Sequence, residues 1–161
     1  MPHACQATVH ADEVEIETLS FPEQFLVWAV RAWVEGYKSG SGRAGLLREG
    51  FALAGAVDGW LLIEELMSIL AAAAKHPLDV RCLACKTLGD DEAPLLAALG
   101  GLQQGDSAAA IVLADRWLPP TAARAAFRLF EQLAVQLGRA GMHLRSARPP
   151  ASVDRGLALI H

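Results

Sequence analysis

No uninterrupted run of about 18 apolar residues occurs in the 161-residue chain, so no stretch reads as a membrane-spanning helix. The most apolar segment, WLLIEELMSILAAAA, is shorter and carries Glu64 and Glu65 near its middle. Period-two alternation of apolar and polar residues, the mark of half-buried strands, is nearly missing. There are only three cysteines, Cys5, Cys82 and Cys85. An odd count without a secretory signal argues against a disulfide framework. The opening MPHACQATVHADEVEIE has neither a basic n-region nor an apolar h-region, so a cytoplasmic location is expected. No repeat at a solenoid period is present.

Several chemistries lack their motif as well. GSGRAG does not end in the Gly-Lys-Ser/Thr of a phosphate loop and follows no strand pattern. No Gly-x-Ser-x-Gly elbow occurs. CLACK lacks the histidine of a c-type haem site, and no second Cys-x-x-Cys accompanies it. No histidine stands three or four residues from Glu64 or Glu65, which removes the carboxylate–histidine pattern of di-iron bundles. The segment SAAAIVLADRWL carries one base and is too apolar to face phosphate, so nucleic acid is not an expected partner.

What is present is hydrophobic content of 53%, ample for a core and for a surface shared with a partner. Charge is unevenly placed. Residues 1–115 carry a net −9 and residues 116–161 a net +5, all of the latter's bases being arginine. Most of these read as a solvated helix face, and the sharper reading is a surface for acidic partners. Arg124, Arg128 and Arg139 are the candidates for partner binding.

Helical punctuation is dense. Ser20 stands three residues before Glu23 with Pro22 between, the spacing of a capping box. A helix is expected from there to about Glu35, closed by the glycine-rich GYKSGSGRAG. Asp58 is a candidate cap for an apolar helix over about 59–75, which Pro77 stops. Asp90 or Asp91 caps the next helix, Gly105 closes it, and Asp106 and Thr121 cap the last two. The final helix has an apolar face at Phe127, Phe130, Ala134 and Leu137. Arg124, Arg128, Gln132, Gln136 and Arg139 form its polar stripe. Trp28, Trp33, Trp60 and Trp117 are expected in the core.

The sequence thus predicts a compact all-α bundle of five to seven helices with short connections. A mobile acidic arm over 1–19, or one short extended piece within it at VEIETL, precedes a helical domain over 20–145, and a tail occupies 146–161. Chemistry concentrates in HPLDVRCLACKTLGDDE. Cys82 and Cys85 are spaced to share one tetrahedral metal or to close on each other. Zinc is the metal such donors take, but a structural site needs four ligands. His76 and Asp79, or one of His3, Cys5, His10, His143 and His161, would have to complete it. The redox reading has Arg81 and Lys86 as flanking cations, but no thioredoxin-like βαβ pattern surrounds the pair and no histidine follows Cys85 closely enough for a proton relay. A plainer reading makes the cysteines small buried hydrophobes, His76 a helix-end residue, and Asp79 the cap of a short helix starting at Val80. The first functional expectation is a helical interaction or regulatory protein that self-associates. The alternative is a thiol-redox or metal-binding protein centred on Cys82, Cys85, His76 and Asp79.

Overall fold

The structure is a computed structural model and describes residues 13–145. Among these residues six α-helices follow one another: α1 Phe21–Ser39, α2 Ala44–Leu53, α3 Gly59–Ala73, α4 Glu92–Gln103, α5 Ala108–Trp117 and α6 Pro120–Arg139. They pack as the expected all-α bundle. The helix α6 lies against α3, α4 and α5, while α1 packs on α2, α3 and α4. No helix of the described residues is long and apolar enough to cross a membrane.

The capping box at the start of α1 forms. The Glu23 carboxylate accepts the Ser20 backbone N–H at 2.7 Å and its hydroxyl at 2.9 Å. The helix runs past the expected end at Glu35 to Ser39. Gly36 is not a breaker here. It is buried, and a Cβ at this position would come within 2.8 Å of Arg43 Cγ and 3.1 Å of Arg43 N. Gly36 therefore lets the start of α2 fold back closely on α1. The stop is Gly40, in the left-handed conformation at φ 66°, where glycine carries no steric penalty.

Three expected caps are replaced by other devices. Asp58 precedes α3 without a side-chain bond to the helix. Asp91 precedes α4 likewise, because its carboxylate is engaged with groups outside that helix. Thr121 lies inside α6, which begins at Pro120, where the fixed φ of proline suits the first turn. Asp106 does accept the Ala108 N–H at 3.0 Å.

The core runs through all six helices. Leu26, Leu47, Phe51, Ile63, Leu66, Leu99, Trp117, Phe130, Leu133 and Leu137 are among its fully covered side chains. Trp117 is buried as expected, while Trp28, Trp33 and Trp60 are half-buried against the core's edge. The stripe that α6 buries includes Ala123, Ala126, Phe130, Leu133, Ala134 and Leu137, with Phe127 only half-covered. Glu65 and Ser68 share the solvent edge of α3, and the half-buried Glu64 accepts the Trp33 indole N–H at 2.8 Å.

Residues 13–19 were expected to belong to a mobile arm, yet they are docked. Ile16 N–H donates to Lys86 O at 2.7 Å and Leu88 N–H to Val14 O at 2.9 Å. A single antiparallel bridge joins Glu15 to Thr87, and one 3-10 turn, Ile16–Thr18, leads into α1. The pairing satisfies backbone groups on the loop between α3 and α4. The remainder of the arm, residues 1–12, and the tail over 146–161 lie outside the described residues.

The two described ends are tied together. The Arg145 guanidinium donates to Glu23 Oε2 at 2.8 Å and to Thr18 O at 3.0 Å. Burial alone would raise the Glu23 pKa, but the hydrogen bonds from Arg145 and Ser20 outweigh it and hold the carboxyl below the usual glutamate range. A carboxyl with a lowered folded pKa adds stability above its unfolded pKa, and that stability is lost as pH falls through the folded value. The thermal midpoint of the wild type should therefore exceed that of Glu23→Gln near neutrality. The gap should close as pH drops below about 4.3, the ordinary glutamate value. A gap that stays constant down to the acid limit would show that Glu23 matters only for packing.

Candidate functional site at the Cys82–Cys85 loop

Between α3 and α4 the chain runs from Ala74 to Asp91 without a helix. A segment of that length inside a small bundle needs partners for its backbone, and here two buried side chains supply five of them. Arg31 projects from the middle of α1 and is 3% exposed. Its Nε donates to Glu92 Oε1 at 2.7 Å and one terminal nitrogen to Glu92 Oε2, also at 2.7 Å. The same guanidinium reaches Cys82 O at 3.0 Å, Cys85 O at 2.7 Å and Thr87 O at 2.8 Å. All five of its N–H donors are thereby used. Glu92, buried in the first turn of α4, also accepts Gly89 N–H at 2.7 Å and Arg81 N–H at 3.3 Å. A paired charge inside a bundle persists only when its remaining valences are met, and the loop carbonyls meet them.

A second anchor holds the start of the loop. Asp91 accepts Asp79 N–H at 2.7 Å and the Trp117 indole N–H at 2.8 Å. Lys75 N–H donates to Trp117 O at 2.8 Å. In return, Asp79 accepts Asp90 N–H at 2.7 Å. Asp79 therefore does not cap a helix at Val80, and residues 78–82 form none. Its carboxylate closes the loop on itself instead. Arg81 bridges outward, to Glu13 at 2.9 Å and to the Thr87 hydroxyl.

Within this frame Cys82 and Cys85 face each other. Their sulfurs lie at disulfide distance, with 5.4 Å between the two Cα atoms. The two are not equivalent. Cys82 is exposed together with Leu83 and Ala84, while Cys85 is buried at 9%. The expectation that both are buried hydrophobes holds for Cys85 only. Beside them opens a cleft lined by Glu35, Lys38 and Val34 of α1 and by Val80, Arg81 and Leu83 of the loop. Cys82 also lines it.

His76 lies at the other end of the loop, exposed, with Nδ1 3.1 Å from Pro77 O. Among the described residues no group of three or more His, Cys, Asp or Glu side chains gathers as a metal site would require. His143 belongs to the described residues, whereas the other proposed completing ligands, His3, Cys5, His10 and His161, do not. Arg124 and Arg128 sit on the exposed side of α6, away from the loop, and Arg139 borders a groove between α3 and α6.

The sequence reading missed Arg31 and Glu92. A signal for Arg31 was present. It sits among Ala29, Val30 and Ala32, and the other base of α1, Lys38, stands in its last turn. A charge there has to find a buried partner.

Compared with models of protein families, with curated proteins and with solved structures, the chain matches none.

Proposed function

We propose that this protein is a small regulatory protein whose Cys82 and Cys85 cycle between dithiol and disulfide. The observation that carries the reading is the asymmetry of the pair. An exposed cysteine and a buried one hold their sulfurs at disulfide distance, on a loop whose carbonyls are fastened to a buried arginine. Exchange begins at the accessible sulfur. A thiolate of an external dithiol attacks Cys82 Sγ, the Cys82–Cys85 bond breaks, and Cys85 leaves as a thiolate that takes up a proton. The second thiol of the dithiol then attacks its own mixed-disulfide sulfur and releases Cys82 as a thiol. Two electrons and two protons pass to the protein, and the external dithiol becomes a disulfide.

The scaffold supports such a cycle because Arg31 holds the backbone on both sides of the pair at Cys82 O and Cys85 O. Opening the sulfur bridge then frees the side chains and the exposed tip Leu83–Ala84 while the loop's base stays in register. The surface that changes is the cleft bounded by Lys38 and Arg81.

The test is equilibration in graded thiol–disulfide buffers, acid quench, alkylation and mass analysis of the tryptic peptide Cys82–Lys86. That peptide contains both cysteines and excludes Cys5. The expected result is a single two-electron transition in which both thiols gain or lose the label together. Thiols that remain fully labelled in oxidising buffer would overturn the reading. So would one equivalent of zinc, removed only when Cys82 and Cys85 are changed to serine.

A second reading, a helical interaction protein, rests on a different surface. Leu53, at 84% exposure, Val57 and Leu61 stand out from the α2–α3 side and Val135 from α6.

A further inference from the structure

The groove between α3 and α6 combines exposed apolar side chains with a particular order of charge. It is lined by Asp58 just before α3, by Leu61 and Leu62 from α3, and by Glu131, Val135 and Arg139 from α6, whose acid and base are the charges in register along one helix. Val135 is 50% exposed, and Leu61 is as open. Glu131, Val135 and Arg139 are spaced by four residues each, so they follow one side of the helix. The two charges are about 12 Å apart along the axis at 1.5 Å per residue. Val135 is at their midpoint. Neither Glu131 nor Arg139 has an ion-pair partner among the described residues.

This arrangement is self-complementary. Rotation by a half-turn about an axis through Val135, perpendicular to α6, brings the acid of one helix opposite the base of its antiparallel copy. The same rotation places the reciprocal pair at the other end. Interfaces between identical chains are most often of this two-fold kind, with one patch serving both sides. Two antiparallel helices packed at about 8–10 Å put Val135 against its own counterpart, with Leu61 of each chain flanking the contact. The exposed apolar side chains lose water, and the charges that border them pair at the rim.

We propose that the α3–α6 face is the interface for a second copy of this chain, paired antiparallel along α6 about Val135. The proposal does not depend on the thiol reading, since none of these residues touches the Cys82–Cys85 loop. The partner-binding role expected for Arg139 falls on this face, and those of Arg124 and Arg128 fall outside its groove.

Sedimentation of the full-length chain over a wide concentration range tests it, with circular dichroism to confirm that each variant remains helical. The native chain is expected to dimerise. Val135→Glu should weaken the dimer by about 30-fold or more, as loss of a central contact does. Glu131→Arg and Arg139→Glu should each weaken self-association by about tenfold, since each puts like charges opposite one another. Mixed together, these two variants should form a heterodimer tighter than either forms alone, because every facing pair is then opposite in sign. Native protein that stays monomeric at all concentrations overturns the proposal. So does a mixture that pairs no better than its components. A monomer whose α3–α6 face is protected from hydrogen exchange would assign the face to the chain's own terminal segments and overturn it as well.

Discussion

Replacing Arg31 with methionine is expected to destabilise the fold by about 3–5 kcal/mol, the usual cost of stranding one half of a buried ion pair. Methionine fills much of the volume of the arginine stem, so little of the loss comes from packing. What remains is the Glu92 carboxylate, 3% exposed, with only two backbone N–H donors. The Cys85 and Thr87 carbonyls also lose their bonds to the guanidinium, and Cys82 O keeps only its turn bond from Cys85 N–H. Lysine is no substitute, because its point charge cannot span a carboxylate and three carbonyls in one plane. Urea titration followed by circular dichroism measures the effect. The double variant Arg31→Met with Glu92→Met separates its two parts. Removing both charges should recover the share due to the stranded carboxylate and leave the share due to the loop carbonyls. If Arg31→Met lies within 1 kcal/mol of the wild type, the charge pair is not what holds the loop.

This ion pair also explains how far the sequence could be read. Helix-forming segments and their stops were legible because they depend on neighbours within a few residues. Ser20 and Glu23, Gly40, Gly105 and the apolar stripe of α6 all act locally. The expected caps at Asp91 and Asp79 failed for a non-local reason. The Asp91 carboxylate is drawn to Asp79 N–H and to Trp117, twelve and 26 residues away, and Asp79 is drawn to Asp90. An aspartate before a helix predicts a cap only when nothing distant competes for its oxygens. The extent of α1 was misread for a similar reason. Gly36 resembles a helix breaker in sequence, and only the approach of Arg43 shows why it is small.

The loop itself was legible as a joint and as the place where thiols meet, but its organisation was not. Arg31 lies 51 and 54 residues from the carbonyls it holds, and no periodicity links them. The same is true of the docking of residues 14–16 on 86–88. The weak alternation of VEIETL allowed a short extended piece, but nothing in it pointed to residues 86–88 as the edge it pairs with. Because Arg31 fixes the loop from α1 and Glu92 from α4, the cysteine pair rides on the bundle rather than on a free connector. The proposed thiol cycle rests on this anchoring, since it leaves the loop's base fastened when the sulfur bridge opens.

Trp117 is the second residue whose loss should be felt across the molecule. Its side chain is 2% exposed and stands edge-on to Phe130, with ring centroids 6.4 Å apart. Trp117→Ala is expected to cost about 3–5 kcal/mol, the range for emptying a large aromatic site. Trp117→Phe distinguishes packing from tethering. It keeps a ring in the core but removes the N–H donated to Asp91 Oδ1, for a loss of about 1–2 kcal/mol. That smaller loss should not be spread evenly. Asp91 still accepts Asp79 N–H, but with one fewer restraint on its carboxylate the Asp79 amide should exchange faster. The Cys85 region, held independently by Arg31, should keep its protection. Backbone hydrogen exchange on Trp117→Phe therefore reads the two anchors separately. Equal acceleration at both ends would mean that the loop opens as one unit, and that the Arg31 cluster and the Asp91 cluster are a single cooperative structure.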